Sequence, residues 1–301
     1  LLADLAAKAK PQEQVDQHYQ TVTSPAALDA LLQRLRTAAR FAVAVETTGK
    51  RVQDKALVGV AFADAPGHAT YVPLDGGAGA RDEVLQKLGE LFAAASPPKD
   101  VHDEKRLLTA LQNEGLTLAG VDTDTMLASY CTEPGLRSHA LGDLALQQFA
   151  YKKTSEKDVL GSGKKQRTFA ELDPALVGDY VCEEADLVLR LGVPLREALQ
   201  RYGTEALYRD LEMPLVPVLL DMERCGIKIA LPHLQRLSAD LQARIDQVQA
   251  RIYERAGHEL RAEAHAEDRL VRLHACPDEP HLLRQMRELF RLVRALLAAE
   301  H

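Results

Sequence analysis

A near-continuous apolar run, FAVAVET at 41–47, constrains this chain more than any other stretch. Such a run is typical of a strand that is buried on both faces of a sheet. Two further apolar segments, 56–64 and 69–74, flank an Ala-Pro-Gly-His turn and predict an antiparallel hairpin. The sheet therefore begins as a meander of three strands, and its first strand ends on a single carboxylate, Glu46.

Helical patterns follow the meander and indicate an α/β fold. The stretch 24–38 has Ser24 at the N-cap, Pro25 at the first helical position and leucines at helical spacing. The other predicted helices span 82–95, about 103–115, 121–134 (capped by Asp122 or Thr123), 139–149, 174–199, 205–226 (interrupted by Pro214 and Pro217) and 232–259.

Composition limits the class of protein. With 301 residues the chain has room for one large domain or two ordinary ones. The formal net charge of −7 argues against a generally basic nucleic-acid binder but leaves room for a local basic patch. Four separated cysteines without a CxxC pair indicate reduced thiols, as in a cytoplasmic protein. No apolar run reaches the roughly 20 residues that cross a bilayer, so no membrane association is expected.

One polar loop, 151–169, is rich in Gly and Lys. Its cations are candidates for contacts with a DNA phosphate backbone. The alternative is a solvated, mobile loop whose charges bind nothing. The candidate DNA-binding residues are Lys152, Lys153, Lys164, Lys165 and Arg167.

Glu46 raises the question of a metal site, because side chains at alternate strand positions point to the same face. Two carboxylates in a D-x-E pattern can hold divalent metal ions that activate water and stabilise a leaving oxygen. The corresponding triplet here is Ala44-Val45-Glu46, in which a methyl group stands in place of the first acid.

Further segments extend this match along the chain. FAVAVETT, LVGVAFADAPGHATYVPL, VDTDTMLASY, YVCEEADLVLRL and LEMPLVPVLLDMERCGIKI occur in this order. Together they resemble the 3′–5′ exonuclease-like region of family A DNA polymerases over residues 19–259. The last segment is specific, because it resembles the passage from that domain into the polymerase thumb. The resemblance implies a ribonuclease H-like α/β fold, a mixed sheet flanked by helices, followed by a helical thumb stub.

The resemblance also locates the family's site, which uses four acids and a tyrosine. Ala44 and Glu46 occupy the D-x-E positions. Leu107 occupies the acid position of an N-x-x-x-D pattern, and Tyr180 and Glu184 occupy a Y-x-x-x-D pattern. Two acids are lost and a third is lengthened, and Mg²⁺ demands near-ideal geometry. The resemblance therefore implies no metal, no catalytic residue and a structural role here, within a parent polymerase that uses Mg²⁺ and acts on DNA.

The predicted domains follow from the same match: 1–18 a linker or fragment end, 19–203 the exonuclease-like domain, 204–259 the start of the thumb, and 260–301 an unmatched helical tail. The first residue is not Met, which suggests a fragment. For the tail, truncation or a frameshift is the favoured explanation, and a real replacement helix pair is the alternative. The His and Cys residues of the tail lack paired-ligand spacing, so zinc is not expected.

Two other interpretations stay open. An active exonuclease would have to recruit other acids, such as Asp103 or Asp186, to hold metal. A non-catalytic protein-interaction module would use the helical segments within 232–301. The sequence VHDE at 101–104 matches a polymerase motif in letters only, because it opens a helix here and the other polymerase motifs are absent. A monomer is expected in each case.

Overall fold

The computed structural model describes residues 15–49, 52–75, 78–163 and 166–256. The chain divides into two compact units, Leu1–Ile227 and Lys228–His301. Most of the predicted linker at 1–18 and the whole predicted tail at 260–301 lie outside the described residues. Residues 204–227, which the sequence places in the thumb, are grouped with the first unit.

A six-stranded mixed sheet forms the centre of the first unit. Its spatial order is β1-β4-β3-β2-β5-β6. Strands β2, β3 and β4 form the predicted antiparallel meander, whereas β1 runs parallel to β4, and β5 runs parallel to both β2 and β6. The strands are β1 His18–Thr21, β2 Phe41–Thr48, β3 Ala56–Ala65, β4 His68–Pro73, β5 Lys99–Val101 and β6 Val121–Asp124.

Helices cover both faces of this sheet. The N-cap prediction for the first helix is confirmed, since Ser24 Oγ accepts a hydrogen bond from the Ala27 amide at 3.2 Å. The helices of the first unit are α1 Pro25–Thr37, α2 Arg81–Ala93, α3 Glu104–Asn113, α4 Thr125–Thr132, α5 Leu141–Phe149, α6 Glu156–Leu160, α7 Pro174–Tyr202, α8 Glu205–Leu207 and α9 Met213–Cys225.

Alternation along β2 divides the hydrophobic core in two. Phe41, Val43 and Val45 point to the face covered by α1, α2 and α3. Ala42 and Ala44 point to the opposite face, where α7 packs. Because the residues on the α7 side are small, that helix lies close to the sheet. Glu46 shares this second face, so β2 directs its one carboxylate toward α7.

Two glycines are required by this close packing. A β-carbon at Gly178 of α7 would lie 2.6 Å from Thr21 Oγ1. A β-carbon at Gly59 of β3 would lie 2.1 Å from Tyr71 Oη. Both distances are shorter than any non-bonded carbon–oxygen contact, so a larger residue at either position would push α7 or the Tyr71 ring away.

The structure corrects two local predictions and adds one strand. The cap of α4 is Asp124, not Asp122 or Thr123, because residues 121–124 form strand β6. Pro214 and Pro217 lie within α9, and the irregularity is a π-helical turn at Tyr208–Glu212. Strand β1 was not predicted, since HYQT carries no apolar pattern and owes its conformation to pairing with β4.

In the second unit the structure describes one long helix, α10, at Leu231–Ala256. It agrees with the helix predicted over 232–259 as far as the described residues extend. No helix among the described residues is long and apolar enough to cross a membrane.

Candidate functional site

The positions that the resemblance assigns to the exonuclease site come together in the first unit. Ala44, Leu107, Tyr180 and Glu184 line one cavity of about 440 Å³, called the site cavity below. Glu46 lies two residues beyond Ala44 on the same face of β2 and contacts the cavity wall. Strand β2, the turn before α3, the loop after α5 and helix α7 build the wall.

Glu46 is bound to a cation of its own chain. Arg106 Nη2 donates to Glu46 Oε2 at 2.9 Å and to the Val45 carbonyl at 3.3 Å. The Glu46 side chain is only 3% exposed. Burial raises the pKa of Glu46 to about 8, against the pull of Arg106, and the nearby Glu184 adds to the rise. Burial would lower the pKa of Arg106, but the two carboxylates outweigh it and the pKa is raised.

Glu184 is bound to a second cation. Lys153, from the loop after α5, places its Nζ atom 3.0 Å from Glu184 Oε1. The same ammonium lies 3.8 Å from the centroid of the Tyr180 ring and donates to the Thr154 carbonyl at 3.1 Å. The Lys153 side chain is 8% exposed, so these partners replace most of its water. Burial, followed by the charge of Glu184, raises the pKa of Tyr180.

The two lost acid positions are apolar. Ala44 is buried in the core beneath α7, and its methyl group offers no ligand atom. Leu107 is 3% exposed and packs into the core on the other side of the sheet while still lining the site cavity. Each position is therefore filled by hydrophobic packing that a carboxylate would disturb.

The turn before α3 is held by a buried acid outside the predicted set. Asp124 accepts from the Asp103 and Glu104 amides at 3.2 and 2.7 Å, and from the amides of Met126 and Leu127 at 2.8 and 3.3 Å. Asp103 itself has a left-handed conformation, with φ of 60°. Burial raises the pKa of Asp124 to about 6 despite these hydrogen bonds. This clamp fixes where α3 starts and hence where Arg106 and Leu107 lie.

His102, at the start of the same turn, is neutral. Its Nδ1 atom lies 2.8 Å from Thr125 Oγ1. Burial, together with the charges of Arg106 and Lys153, lowers its pKa to about 3. The ring therefore adds no positive charge to the site cavity at neutral pH.

The residues present do not fit two divalent metal ions. Two of the four expected acid positions carry no oxygen, and the acids at the other two, Glu46 and Glu184, already bind Arg106 and Lys153. Across the described parts of the chain, no group of three or more His, Cys, Asp or Glu side chains converges as a metal site.

The two acids suggested as substitutes are engaged elsewhere. Asp103 lines the site cavity, but its carboxylate caps α3 by accepting from the Arg106 amide at 3.2 Å. Asp186 is not part of the cavity wall, and it accepts from the Gly67 amide at 2.7 Å and from the Tyr19 hydroxyl at 3.2 Å.

The predicted DNA-binding residues lie in different surroundings. Lys152 and Arg167 are exposed, whereas Lys153 is directed into the site cavity. Lys164 and Lys165 lie outside the described residues. DNA contact stays a prediction for this loop.

Sequence reasoning missed the pairing of the site. Arg106 lies within the N-x-x-x-D pattern that ends at Leu107 and was given no role, and Lys153 was assigned to DNA contact. The charges offered a signal. Without a metal ion, Glu46 and Glu184 need cations as partners. Arg106 and Lys153 are the sequence neighbours of Leu107 and Lys152, which had already been selected. The clamp by Asp124 carried no comparable signal, since it depends on where β6 ends.

Comparisons with known proteins match this chain to one group of relatives. A family model described as DNA polymerase I, ribonuclease H-like domain, matches residues 43–191. DNA polymerase I of Pseudomonas aeruginosa is 33% identical over 262 residues, 84% of this chain and 29% of that protein. DNA polymerase I of Geobacillus stearothermophilus is 32% identical over 225 residues, 73% of this chain and 24% of that protein. The chain thus spans less than a third of the length of these relatives.

Solved structures agree with the fold. The POL domain of Pol1 from M. smegmatis, in complex with DNA primer-template and dNTP, has a TM-score of 0.62 and 27% identity, covering 80% of this chain and 38% of that chain. Brucella melitensis NrnC has a TM-score of 0.53 and 18% identity, covering 70% of this chain and 95% of that chain. Escherichia coli RNase D, an exoribonuclease, has a TM-score of 0.53 and 18% identity, covering 68% of this chain and 51% of that chain. At this identity the last two show the ribonuclease H-like fold alone.

Proposed function

Residues 43–191 of this chain belong to the DNA polymerase I ribonuclease H-like domain family, and from that premise we propose that the domain catalyses no hydrolysis and serves as a structural part of a DNA polymerase I-type protein. One observation carries the proposal. Glu46 and Glu184, which occupy the two remaining acid positions, are each bound to a cation of the same chain, at 2.9 and 3.0 Å.

Two-metal hydrolysis needs several carboxylate oxygens around ions spaced about 4 Å apart, so that one ion activates water and the other stabilises the leaving oxygen. Ala44 and Leu107 supply no oxygen, and the bound oxygens of Glu46 and Glu184 face positive charge. A divalent ion at the positions of Glu46 and Glu184 would lie next to a guanidinium and an ammonium. Both repulsion and missing ligands therefore oppose the reaction.

The activity of the whole protein is part of the proposal, because the chain spans under a third of its polymerase relatives. DNA-templated DNA synthesis with Mg²⁺ would belong to the parent, acting on DNA as a cytoplasmic monomer. Within it, residues 19–203 would have a structural role, and residues 204–259 would begin the thumb. Contact with the DNA backbone would be made by Lys152 and Arg167, which are exposed.

Purified chain is incubated with a 5′-labelled single-stranded oligonucleotide in 5–10 mM Mg²⁺ or Mn²⁺, and calorimetry follows metal binding in the same samples. Glu46→Gln is the matched control, because it removes the only acid of the D-x-E pair while keeping the shape of the side chain. We expect no shortening of the oligonucleotide by either protein. Shortening by the natural chain that is lost in Glu46→Gln would show a rebuilt exonuclease site and overturn the proposal.

The other two interpretations receive no specific support. A rebuilt exonuclease would need Asp103 or Asp186, and both are committed to hydrogen bonds that hold the fold. An interaction module at 232–301 rests largely on residues beyond the described part of the chain, of which only α10 contributes a described surface.

A further inference from the structure

Each of the two acids left at the family's site positions is paired with one cation of the site cavity. In the family pattern, four carboxylates would balance two divalent ions. Here the two remaining family positions with acids, Glu46 and Glu184, face two side-chain cations, Arg106 and Lys153. Resting on the proposed lack of hydrolysis, we propose that Arg106 and Lys153 take the place of the two metal ions as tethered counter-charges, and that they actively keep divalent cations out of the site cavity.

The two cations reach the cavity from unrelated parts of the chain. Arg106 lies in the first turn of α3, directly before Leu107, and Lys153 lies in the loop after α5. The local sequence does not explain why either side chain is directed into the cavity, because a surface lysine or arginine normally keeps its charged end in water. Lys153 is 8% exposed, and its ammonium contacts Glu184, the Thr154 carbonyl and the Tyr180 ring. A buried ammonium is tolerated only when such partners replace its water.

The two ion pairs also explain how Glu46 and Glu184 can remain buried without a metal ion. A buried carboxylate without a partner is unfavourable, and burial raises the pKa of Glu46 while Arg106 opposes that rise. Arg106 and Glu46 tie α3 to β2, and Lys153 and Glu184 tie the loop after α5 to α7. In this way the former site becomes a set of cross-links within the domain.

Metal affinity distinguishes exclusion of metal by the two cations from a simple loss of metal ligands. If missing ligands were the whole reason, restoring acids at positions 44 and 107 would restore metal binding by itself. If the cations also exclude metal, the restored acids would pair with Arg106 and Lys153 instead. Metal affinity would then return only when acids are restored and both cations are removed.

The experiment compares full-length chains carrying Ala44→Asp and Leu107→Asp in three backgrounds: natural, Arg106→Gln with Lys153→Gln, and Lys105→Gln with Lys152→Gln. The last background is matched, since it removes the same charge from the sequence neighbours of Arg106 and Lys153. Mn²⁺ binding is measured from the electron paramagnetic resonance signal of the free ion. We expect the Arg106/Lys153 background to bind Mn²⁺ at least about 10-fold more tightly than the other two, a difference of one decade in Kd.

Equal affinity in all three backgrounds, within about 2-fold, would overturn the proposal, whether binding is strong or absent. If the acid-restored chains do not fold, single variants decide. Mn²⁺ should then raise the Tm of Lys153→Gln by about 2 °C more than that of Lys152→Gln, and equal shifts would count against exclusion by Lys153. These outcomes are independent of DNA cleavage by the natural chain, which tests the proposed function alone.

Discussion

Arg106 and Glu46 form an ion pair of 2.9 Å in which the carboxylate is almost wholly buried and the guanidinium is 38% exposed. The pair links the first turn of α3 to the end of β2. Removing one partner of a buried pair is more costly than the pair itself is stabilising, because the other charge is left unpaired. The free-energy cost of removing Arg106 depends on pH, because burial raises the pKa of Glu46.

We therefore predict that Arg106→Gln destabilises the domain in a pH-dependent way. Burial raises the pKa of Glu46 in the fold above its value in the unfolded chain, so the contribution of this residue to stability falls as the pH rises. Without Arg106 its pKa rises further. The loss should be about 2 kcal/mol at pH 8.5 and under about 1 kcal/mol at pH 5.5, after allowance for solvent screening of the exposed guanidinium. Urea unfolding at both pH values measures it.

Arg36→Gln is the control for this prediction. Arg36 pairs with Glu90 at 2.9 Å on the surface, where both side chains are exposed. Its loss should cost under about 1 kcal/mol and should not change between the two pH values. A loss for Arg106→Gln that is equally independent of pH would show that Glu46 does not titrate as argued.

The meander of β2, β3 and β4 could be predicted from sequence because its three strands carry long apolar runs and one turn signal. Strand β1 could not, and the end of β6 was misread as a helix start. HYQT and VDTD are only four residues long and mostly polar, so parallel pairing, and not their own pattern, decides their conformation.

The members of the candidate site were predicted, but their pairing was not. The resemblance implied Ala44, Glu46 and Leu107, because the family's motifs place an acid at each of these positions. Lys153 and Glu184 lie 31 positions apart in the sequence. No periodic pattern in the loop that carries Lys153 predicts that the two side chains meet. The same holds for Asp124, whose carboxylate reaches back to the turn at 103–104.

Glu104 gives a second pH prediction. Burial, together with the charge of Asp124, raises its pKa to about 7, and its Oε2 atom has no hydrogen-bond partner among the described residues. Because the folded pKa lies above the usual value, the natural chain should lose stability as pH rises from about 4.5 to 7. Glu104→Gln imitates the protonated acid and removes this loss.

The variant should equal the natural chain at about pH 4 and exceed it by about 1 kcal/mol at pH 8, measured as free energy of unfolding in urea. Glu197→Gln, an exposed acid on α7, is the control and should leave the slope with pH unchanged. An unchanged slope in Glu104→Gln would assign the pH dependence to another carboxyl group.

Gly192 of α7 tests the packing of the sheet against that helix. A β-carbon there would lie 2.6 Å from Asp100 Oδ2, and Asp100 is a wholly buried carboxylate held by Arg196 at 3.0 Å. Gly192→Ala should displace that carboxylate and cost about 2–3 kcal/mol, seen as a lower Tm.

A helical glycine without such a neighbour provides the comparison. At Gly142 of α5 the nearest atom to an added β-carbon is Lys153 Cβ at 3.7 Å, an ordinary contact. Gly142→Ala should therefore raise stability by about 0.5–1 kcal/mol through helix propensity. If both substitutions stabilise the chain, the packing of α7 near Asp100 is looser than the structure shows.

Asp124 is the residue on which the geometry of the site cavity depends most. Its carboxylate accepts the amides of Asp103 and Glu104 as well as two amides of α4, and it is 1% exposed. Asp124→Ala leaves buried N–H groups without acceptors and should cost about 3 kcal/mol. Asp124→Asn should recover part of this loss of stability, because its carbonyl oxygen still accepts hydrogen bonds.

Hydrogen exchange at residues 103 and 104 reports the clamp directly. Protection should be lost in Asp124→Ala and kept in Asp143→Ala, which changes an exposed acid of α5. Equal protection in both alanine variants would mean that the left-handed turn at Asp103 is held by α3 itself, and that Arg106 keeps its place without Asp124.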